Sequence, residues 1–347
     1  IGSNKLPKVV TSIREHLERH GVTFRFGTRV VGLLTREQGA RRLACGVRIE
    51  SGEELGADAV VLATGHSARD VHRMLLDAGV SLEPKAFALG VRIEHPQPYI
   101  NRIQYGRHAD HPKLPNAAYK LAFTESGRGV FSFCMCPGGF LVPASTSPGE
   151  LVLNGMSLSR RDSPFANSGL VVGIEVADTL RAGFKGPLAG VELQRRIEET
   201  AWEAGGGGLR APATRATDFL AGRGSTTVPN TSYQPGLEAA NVGDVLDLVG
   251  LGLADRMRRA LKVFEKRMRG YASEEAVLVG VESRTSSPVR VPRDRESLTS
   301  PDLDGLYPCG EGAGYAGGIM SAAMDGIGVA RAVSASVTAE HPAAGTG

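Results

Sequence analysis

The sequence has little of several features that define whole classes of protein. Its 347 residues include four cysteines, one tryptophan and eight lysines, and the formal net charge is +3. No run of 18 apolar residues occurs, so no membrane span is expected, and no signal-peptide pattern is visible. The small net charge gives no argument for a nucleic-acid partner. These absences predict a cytoplasmic globular protein, and the length favours two domains.

The four cysteines do not have the spacing of metal ligands, and no metal site is expected. Cys134 and Cys136 lie two residues apart, so in a regular strand both side chains would point to one face. The spacing is compatible with a redox pair or with two small buried residues. Few cysteines and no obvious disulfide framework fit a reducing cytoplasm.

Glycine, by contrast, is abundant, and residues 305–331 (GLYPCGEGAGYAGGIMSAAMDGIGVAR) carry the densest cluster. The pattern predicts a short strand ending at Cys309, a glycine-rich turn, and a helix of small residues from about Ile319. Glycine lets the backbone approach a ligand closely, and the start of a helix favours an anion or an electron-rich carbonyl. Glu311 within the turn would repel a phosphate but could accept a hydrogen bond from a sugar hydroxyl. A nucleotide or flavin site is one interpretation, and a tight turn that needs glycine only for packing is the other.

Residues 57–70 (ADAVVLATGHSARD) form a second apolar strand followed by a turn. The continuous apolar run is typical of a buried parallel strand. Either His66 or Ser67 could cap the following helix, and His66 could also touch a ligand.

These two segments resemble the closing segment and the returning "ATG" strand of two-dinucleotide-binding-domain flavoproteins. Residues 85–97, 136–142, 154–157, 166–172 and 281–290 are similar, more narrowly, to FAD-dependent dehydrogenases of bacteria and plastids. The resemblance implies bound FAD, NAD(P)H as a candidate electron donor, and an acidic residue that accepts from the ribitol chain. The implied cofactor-binding residues are Val30, Ala63, Thr64, Gly65, His66, Gly310, Glu311, Gly312, Gly314, Gly318, Ile319 and Met320.

One departure from the family is the lack of a G-x-G-x-x-G turn after an apolar strand near residue 1. Such a turn holds the FAD pyrophosphate. The expected fold is therefore α/β, a partial FAD-binding Rossmann-like domain of the glutathione-reductase type with an inserted mixed α+β substrate lobe. The predicted domains are 1–80 and 301–340 for the FAD domain and 81–300 for the substrate lobe. The chain is expected to be a fragment that needs a missing N-terminal segment as its partner.

Candidate catalytic residues are few, and the expected substrate is a small molecule of unidentified structure. His95 is the acid/base candidate because its ordinary pKa lies near neutrality. Arg284 and Arg290 could clamp a carboxylate or phosphate, or form surface ion pairs. A predicted helical insertion over 191–271 ends in a helix, 253–269, that is basic on one face. This helix leaves a tRNA-modifying flavoprotein as an alternative, and a non-catalytic fragment is another.

Overall fold

The computed structural model describes residues 2–340, which group into two compact units. The first unit contains the chain up to Thr23 together with residues 88–182 and 193–284. The second contains residues 24–87, residues 183–192 and the chain from Thr285 onward. This grouping differs from the predicted limits of 1–80, 81–300 and 301–340 most visibly at the first 23 residues and at 285–300. The domain limits stay a prediction.

The strands and helices alternate irregularly along the chain. In the described residues the strands are β1 (Val30–Gln38), β2 (Arg41–Ile49), β3 (Glu54–Gly56), β4 (Val60–Leu62), β5 (Glu83–Pro84), β6 (Phe87–Pro96), β7 (Ala122–Glu125), β8 (Arg128–Cys136), β9 (Gly139–Pro143), β10 (Leu153–Ser157), β11 (Phe165–Ile174), β12 (Ala211–Arg215), β13 (Leu237–Ala239), β14 (Val277–Glu282), β15 (Val289–Arg290) and β16 (Leu306–Pro308). The helices are α1 (Leu6–Arg19), α2 (Arg69–Asp77), α3 (Gln97–Tyr105), α4 (Val176–Arg181), α5 (Ala189–Ala204), α6 (Ala216–Leu220), α7 (Val242–Asp247), α8 (Leu253–Arg267) and α9 (Ile319–Glu340), and a short 3₁₀ helix spans Gly106–His108.

The first unit is built on a seven-stranded mixed sheet in the order β13-β12-β14-β6-β11-β8-β7. Its strands β14 and β11 are almost entirely buried, since their sequences are runs of apolar and small residues. Helix α8 lies against β11, and the apolar residues at helical spacing from Leu253, Met257, Leu261 and Phe264 to Met268 just beyond its end are buried. The apolar stripe therefore has a structural role.

The second unit contains the antiparallel meander β1-β2-β3 and the parallel pair β4-β16. Its core gathers Leu62 of β4, Leu75 of α2, Val289 of β15 and Leu306 of β16. Residues far apart in sequence are thus packed in one apolar cluster. At about 25 cal/mol per Å² of apolar surface, such burial is the main stabilising contribution.

Several predicted elements differ from the structure. Residues 22–26, whose alternating apolar residues predict a short strand after the first helix, do not form one. Helix α1 is grouped with the first unit although none of its residues is buried, and the preceding Ser3 N donates to Ser157 O at 2.9 Å. The predicted helical insertion over 191–271 contains strands β12 and β13 of the large sheet, so that prediction is wrong in part. The segment forming β12, Ala-Pro-Ala-Thr-Arg, is poor in the residues that mark strands in a sequence. Tertiary pairing with β14 determines its conformation.

Candidate functional site

Two apolar strands of the second unit, β4 and β16, run parallel and end together. Val60 pairs with Leu306 and Leu62 with Pro308. Cys309 N then donates a hydrogen bond to Leu62 O at 2.9 Å, which extends the pairing to the last residue of each strand. Because parallel strands present their carboxyl ends at the same edge, the turns that follow both strands meet there.

The meeting of these turns is close enough to require glycine. A Cβ on Gly312 would lie 2.5 Å from Gly65 O and 2.9 Å from Gly65 Cα. Gly65 and Gly310 have φ values of 74° and 73°, in the left-handed region that glycine occupies without a steric penalty. Gly314 has a φ of 86°, and a Cβ there would lie 2.8 Å from Val289 O. We call residues 63–66 and 310–314 together the glycine cradle.

One carboxylate and one imidazole face each other across the glycine cradle. His66 Nδ1 lies 3.1 Å from Glu311 Oε1, and both side chains are largely shielded from solvent. The N-cap of α2 is Ala68, without a side-chain hydrogen bond, so neither His66 nor Ser67 is the cap that the sequence suggested. The sequence predicted that Glu311 needs a hydrogen-bond donor, and within this chain His66 occupies that position.

An ion pair between Asp325 and Arg293 is hydrogen-bonded to the backbone of the glycine cradle and of the strand before it. Asp325 of α9 accepts the Gly310 N–H at 2.7 Å and pairs with Arg293 through contacts of 2.6 and 3.0 Å. Arg293 also donates to Pro308 O at 2.8 Å, and its guanidinium lies 3.8 Å from the centre of the Tyr315 ring. Hydrogen bonding from Arg293 lowers the pKa of Asp325, so the carboxylate stays ionised near neutrality.

The start of α9 adjoins the glycine cradle and leaves donors free. The first backbone bond into the helix is donated by Ala322 to Gly318 O, so the amides of Ile319 and Met320 lie before the helical ladder begins. The side chains of Ile319 and Met320 are 67% and 73% exposed. A Cβ on Gly318 would have no neighbour within 4 Å. Open space, free N–H groups and exposed apolar side chains therefore occur at one helix terminus.

Lys85 lies near Glu311, and Arg290 lies near Lys85. Burial, followed by repulsion from Arg290, lowers the pKa of Lys85, while Glu311 acts in the opposite direction. Arg290 of β15 pairs with Glu83 in register, and its guanidinium is 5.6 Å from the Tyr315 ring centre. Arg290 is thus the predicted arginine that the structure places beside the glycine cradle, although its role as a clamp stays a prediction.

Val30, the remaining predicted contact in this unit, opens β1 and pairs with Ile49. The adjacent Arg29 donates to Asp70, in the first turn of α2, at 2.8 and 3.1 Å. This ion pair connects the beginning of the meander to the helix that follows residues 63–66. The role of Val30 as a cofactor contact stays a prediction.

The other two predicted catalytic residues belong to the first unit and already have protein partners. His95 is buried, and its Nε2 lies 2.7 Å from Tyr271 O, so Nε2 carries the proton. Burial lowers the pKa of His95 to about 4, which keeps the imidazole neutral. Arg284 is bound by Glu150 and Glu198 at 2.9 and 2.8 Å. These contacts favour structural roles, and the catalytic roles of both residues stay predictions.

Three arginines of α8 have hydrogen-bond or ion-pair partners within the protein. Arg259 pairs with Glu125 at 2.6 Å, and Arg267 donates to Ala122 O at 2.5 Å. Arg258 donates to Phe219 O and pairs with Asp255. This arrangement matches a solvated face above a packed stripe and gives no specific support to RNA binding.

Sequence reasoning missed Lys85, His72 and Asp325, and it considered Arg293 as a clamp for a carboxylate or phosphate rather than as the partner of Asp325. His72 is buried in α2, and its Nε2 lies 3.3 Å from Gly312 O. Lys85 opens one of the sequence blocks that carried the family resemblance, but nothing in the sequence places it near Glu311. Arg293 and Asp325 are separated by 32 residues, a spacing that has no helical or strand periodicity. A local pattern could not have found either pair.

Residues 2–340 contain neither a helix suited to span a membrane nor a cluster of metal-binding side chains. No helix there is both long and apolar enough to span a bilayer. No cluster of three or more histidine, cysteine, aspartate or glutamate side chains there is arranged to hold a metal ion.

Comparison with known proteins identifies relatives of this chain. Residues 86–285, more than half of the chain, match the family model described as FAD-dependent protein, C-terminal domain-like. Residues 6–150 match the model described as FAD dependent oxidoreductase. A Clostridium beijerinckii protein without an assigned function is 43% identical over 337 residues, which cover 95% of this chain and 60% of that protein. The chain thus spans well under two thirds of the length of this relative.

Solved structures with a partial likeness include two of PqsL. A mutant of P. aeruginosa PqsL is 16% identical with a TM-score of 0.25, over 77% of this chain and 64% of that one. PqsL from Pseudomonas aeruginosa, "a probable FAD-dependent monooxygenase", is 15% identical with a TM-score of 0.20, over 72% of this chain and 58% of that one. These scores are too low to carry an argument about this chain.

Proposed function

We propose a flavin-dependent redox function for this chain, which belongs to the family of FAD-dependent proteins and, with it, to the FAD-dependent oxidoreductases. The proposed reaction is that of a dehydrogenase: transfer of a hydride between bound FAD and a small-molecule substrate. NAD(P)H is the proposed electron donor, and the cytoplasm the proposed location. The chain covers 60% of the length of its relative, and the reaction is proposed for the protein as a whole.

The observation that carries the proposal is the glycine cradle. Two strand-ending turns approach so closely that a Cβ on Gly312 would overlap Gly65. Packing alone would require glycine at this one contact. It would not require the open space at Gly317 and Gly318, where a Cβ would meet nothing within 4 Å. The combination of close backbone approach and open space suits a large flat ligand.

The residues present fit FAD in their chemistry as well as in their shape. The free amides at the start of α9 can donate to a carbonyl, and the helix dipole favours negative charge there. Glu311 can accept from a sugar hydroxyl, with His66 at 3.1 Å as a neighbouring polar group. The exposed Ile319 and Met320 offer apolar surface to a ring.

Bound FAD would supply the hydride chemistry, and the protein would supply orientation and electrostatics. The start of α9 would stabilise negative charge on a reduced ring system. Asp325 and Arg293 would position the glycine cradle, because they hold the Gly310 amide and the Pro308 carbonyl from the same side. Lys85 and Arg290 would add positive charge near Glu311 and favour an anionic group.

The test uses the natural full-length protein, purified without added cofactor. We expect an absorbance band near ~450 nm, where oxidised flavins absorb, and bleaching of this band by NADH or NADPH under anaerobic conditions. Glu311→Gln should weaken FAD retention by roughly ten- to a hundredfold, since a hydrogen bond to a charged acceptor contributes about 1.5–3 kcal/mol. Glu54→Gln, on the exposed β3, is the matched control.

Two results would contradict the proposal at different levels. A protein that neither contains flavin nor gains thermal stability when FAD is added would refute FAD binding. A flavin that reacts only when oxygen is present, with one oxygen atom entering the product, would refute the dehydrogenase assignment and leave FAD binding intact.

A further inference from the structure

Cys134 and Cys136 of β8 occupy very different environments although they lie two residues apart. Phe133 pairs with Gly169 of β11 and Cys136 with Asn167, so Cys134 and Met135 together face one residue of β11. This is a β-bulge, and Cys134 has a φ of 45°, in the left-handed region that only a small share of non-glycine residues adopt. The bulge leaves Cys134 exposed and Cys136 buried. The two cysteines therefore differ in exposure, and the expectation that both side chains share one face stays a prediction.

The two cysteines nevertheless remain in contact. Cys136 Sγ lies 3.4 Å from Cys134 O, and each thiol shifts the pKa of the other. Both are free thiols in this structure. One cysteine is thus open to a reactant, and the other is buried two residues away.

A fully buried arginine stands beside the inner sulfur. Arg92 Nη2 lies 4.0 Å from Cys136 Sγ, 3.1 Å from Cys134 O and 2.5 Å from Asn167 Oδ1. Its Nη1 donates to Glu282 at 2.8 Å. A Cβ on Gly155 would overlap the Arg92 guanidinium, so the site also depends on glycine in the neighbouring β10. A buried cation next to a sulfur stabilises its thiolate.

The pKa values of the two cysteines are shifted in opposite directions. The hydrogen bond from Cys134 lowers the pKa of Cys136 to about 6, and the charge of Arg92 acts in the same direction against the effect of burial. The pKa of Cys134 is raised by the same hydrogen bond and by burial. The pair therefore holds one proton near neutrality, shared between an outer thiol and an inner thiolate.

We propose that Cys134 and Cys136 form a thiol–disulfide exchange site whose substrates are accessible disulfides. Cys134 is the sulfur that meets the substrate, and Cys136 is the sulfur that resolves the mixed disulfide. The site is independent of the flavin function proposed above. Metal binding does not compete with this assignment, since among residues 2–340 no three suitable ligands cluster.

The proposed exchange takes place in two steps. Cys134 passes its proton to Cys136, and its thiolate attacks a disulfide R–S–S–R, forming a Cys134–S–S–R bond and releasing RS⁻. Cys136 then loses the shared proton and attacks the Cys134 sulfur, which forms the Cys134–Cys136 bond and releases a second RS⁻. The protein pair gives up two electrons and its one shared proton, and the substrate becomes two thiolates, RS⁻, one of which can take up that proton. The reverse reaction returns the dithiol.

The experiment treats the folded full-length protein with dithiobis(nitrobenzoate), an aryl disulfide whose released thiolate is coloured. A Cys45→Ser background removes the other partly accessible cysteine. We expect about two equivalents of coloured thiolate per chain, no retained adduct, and a protein mass lower by two hydrogens. In Cys136→Ser we expect about one equivalent and a stable adduct on Cys134, and in Cys134→Ser almost no release.

A circular dichroism spectrum shows whether each serine variant is folded, and peptide mapping locates the disulfide in the parent protein without any substitution at the pair. A parent protein that keeps a stable adduct on Cys134, or that shows no Cys134–Cys136 linkage, would overturn the proposal.

Discussion

Replacing Gly312 by alanine tests the close approach of the two turns in the glycine cradle. The added Cβ would lie 2.5 Å from Gly65 O, whereas ordinary van der Waals contacts of a Cβ begin at 3.4 Å. The turns would therefore have to separate by roughly 1 Å, and a backbone oxygen cannot rotate away as a flexible side chain could. Overpacking of this kind costs about 1–3 kcal/mol of unfolding free energy. The hydrogen bond between His72 and Gly312 O would be strained by the same displacement.

The assay is thermal unfolding of the purified protein, followed by the amount of flavin that each variant retains. A loss of about 1–3 kcal/mol corresponds to a fall in Tm of about 2–4 °C for each kcal/mol in a protein of this size class. The control is Gly317→Ala in the same segment, because its Cβ would meet nothing within 4 Å and its φ is not positive. Equal Tm and equal flavin content in the two variants would refute the reasoning.

Two further changes test the groups around the fold and the site. Asp325→Asn removes the charge that faces Arg293 and should lower stability by about 1.5–3 kcal/mol and reduce flavin retention, measured by chemical unfolding and by absorbance. His95→Gln tests a pH effect: the folded pKa of about 4 lies below the ordinary 6.5, so between these values the unfolded chain binds the proton that the folded chain refuses. Because of His95, the unfolding free energy of the wild type should fall by up to about 1.4 kcal/mol per pH unit between pH 6.5 and 4. The glutamine variant should not show this pH-dependent loss, and its side-chain amide can still donate to Tyr271 O.

Matched controls separate these effects from general damage. Glu54→Gln breaks the exposed pair with Arg48, which should change stability by less than about 1 kcal/mol. A comparable loss in Asp325→Asn and Glu54→Gln would show that Asp325 does not hold the cradle. If the stability difference between wild type and His95→Gln is the same at both ends of this pH range, the buried neutral imidazole has been assigned wrongly.

Local patterns in the sequence predicted much of the second unit. The apolar run at 59–63, the strand ending at Cys309 and the helix from about Ile319 were each predicted from about ten residues, and the structure places them at Val60–Leu62, Leu306–Pro308 and Ile319–Glu340. A helix predicted at 7–20 from apolar spacing and a helix predicted at 68–78 from its capping and first-turn residues are observed at Leu6–Arg19 and Arg69–Asp77. The α/β fold class and the dependence on FAD followed from these segments together with the blocks that resemble the family.

Spacing alone could not predict which charged residues are available for chemistry. Arg284 and Arg290 look alike in the sequence, yet Arg284 is bound between Glu150 and Glu198 while Arg290 lies beside Tyr315. The glutamates lie 134 and 86 residues away from Arg284. Long-range pairing of this kind depends on how strands and helices assemble, which no local periodicity encodes.

The sequence by itself determined where the backbone turns tightly and which segments are apolar, since glycine content and hydrophobic periodicity act over a few residues. Only the tertiary structure decided that Gly312 touches Gly65, that Asp325 holds the Gly310 amide, and that a bulge exposes Cys134 while Arg92 stands beside Cys136. These contacts join segments from distant parts of the chain. Their geometry depends on strand register and on the exclusion of water from the core, and both arise only when the whole unit packs.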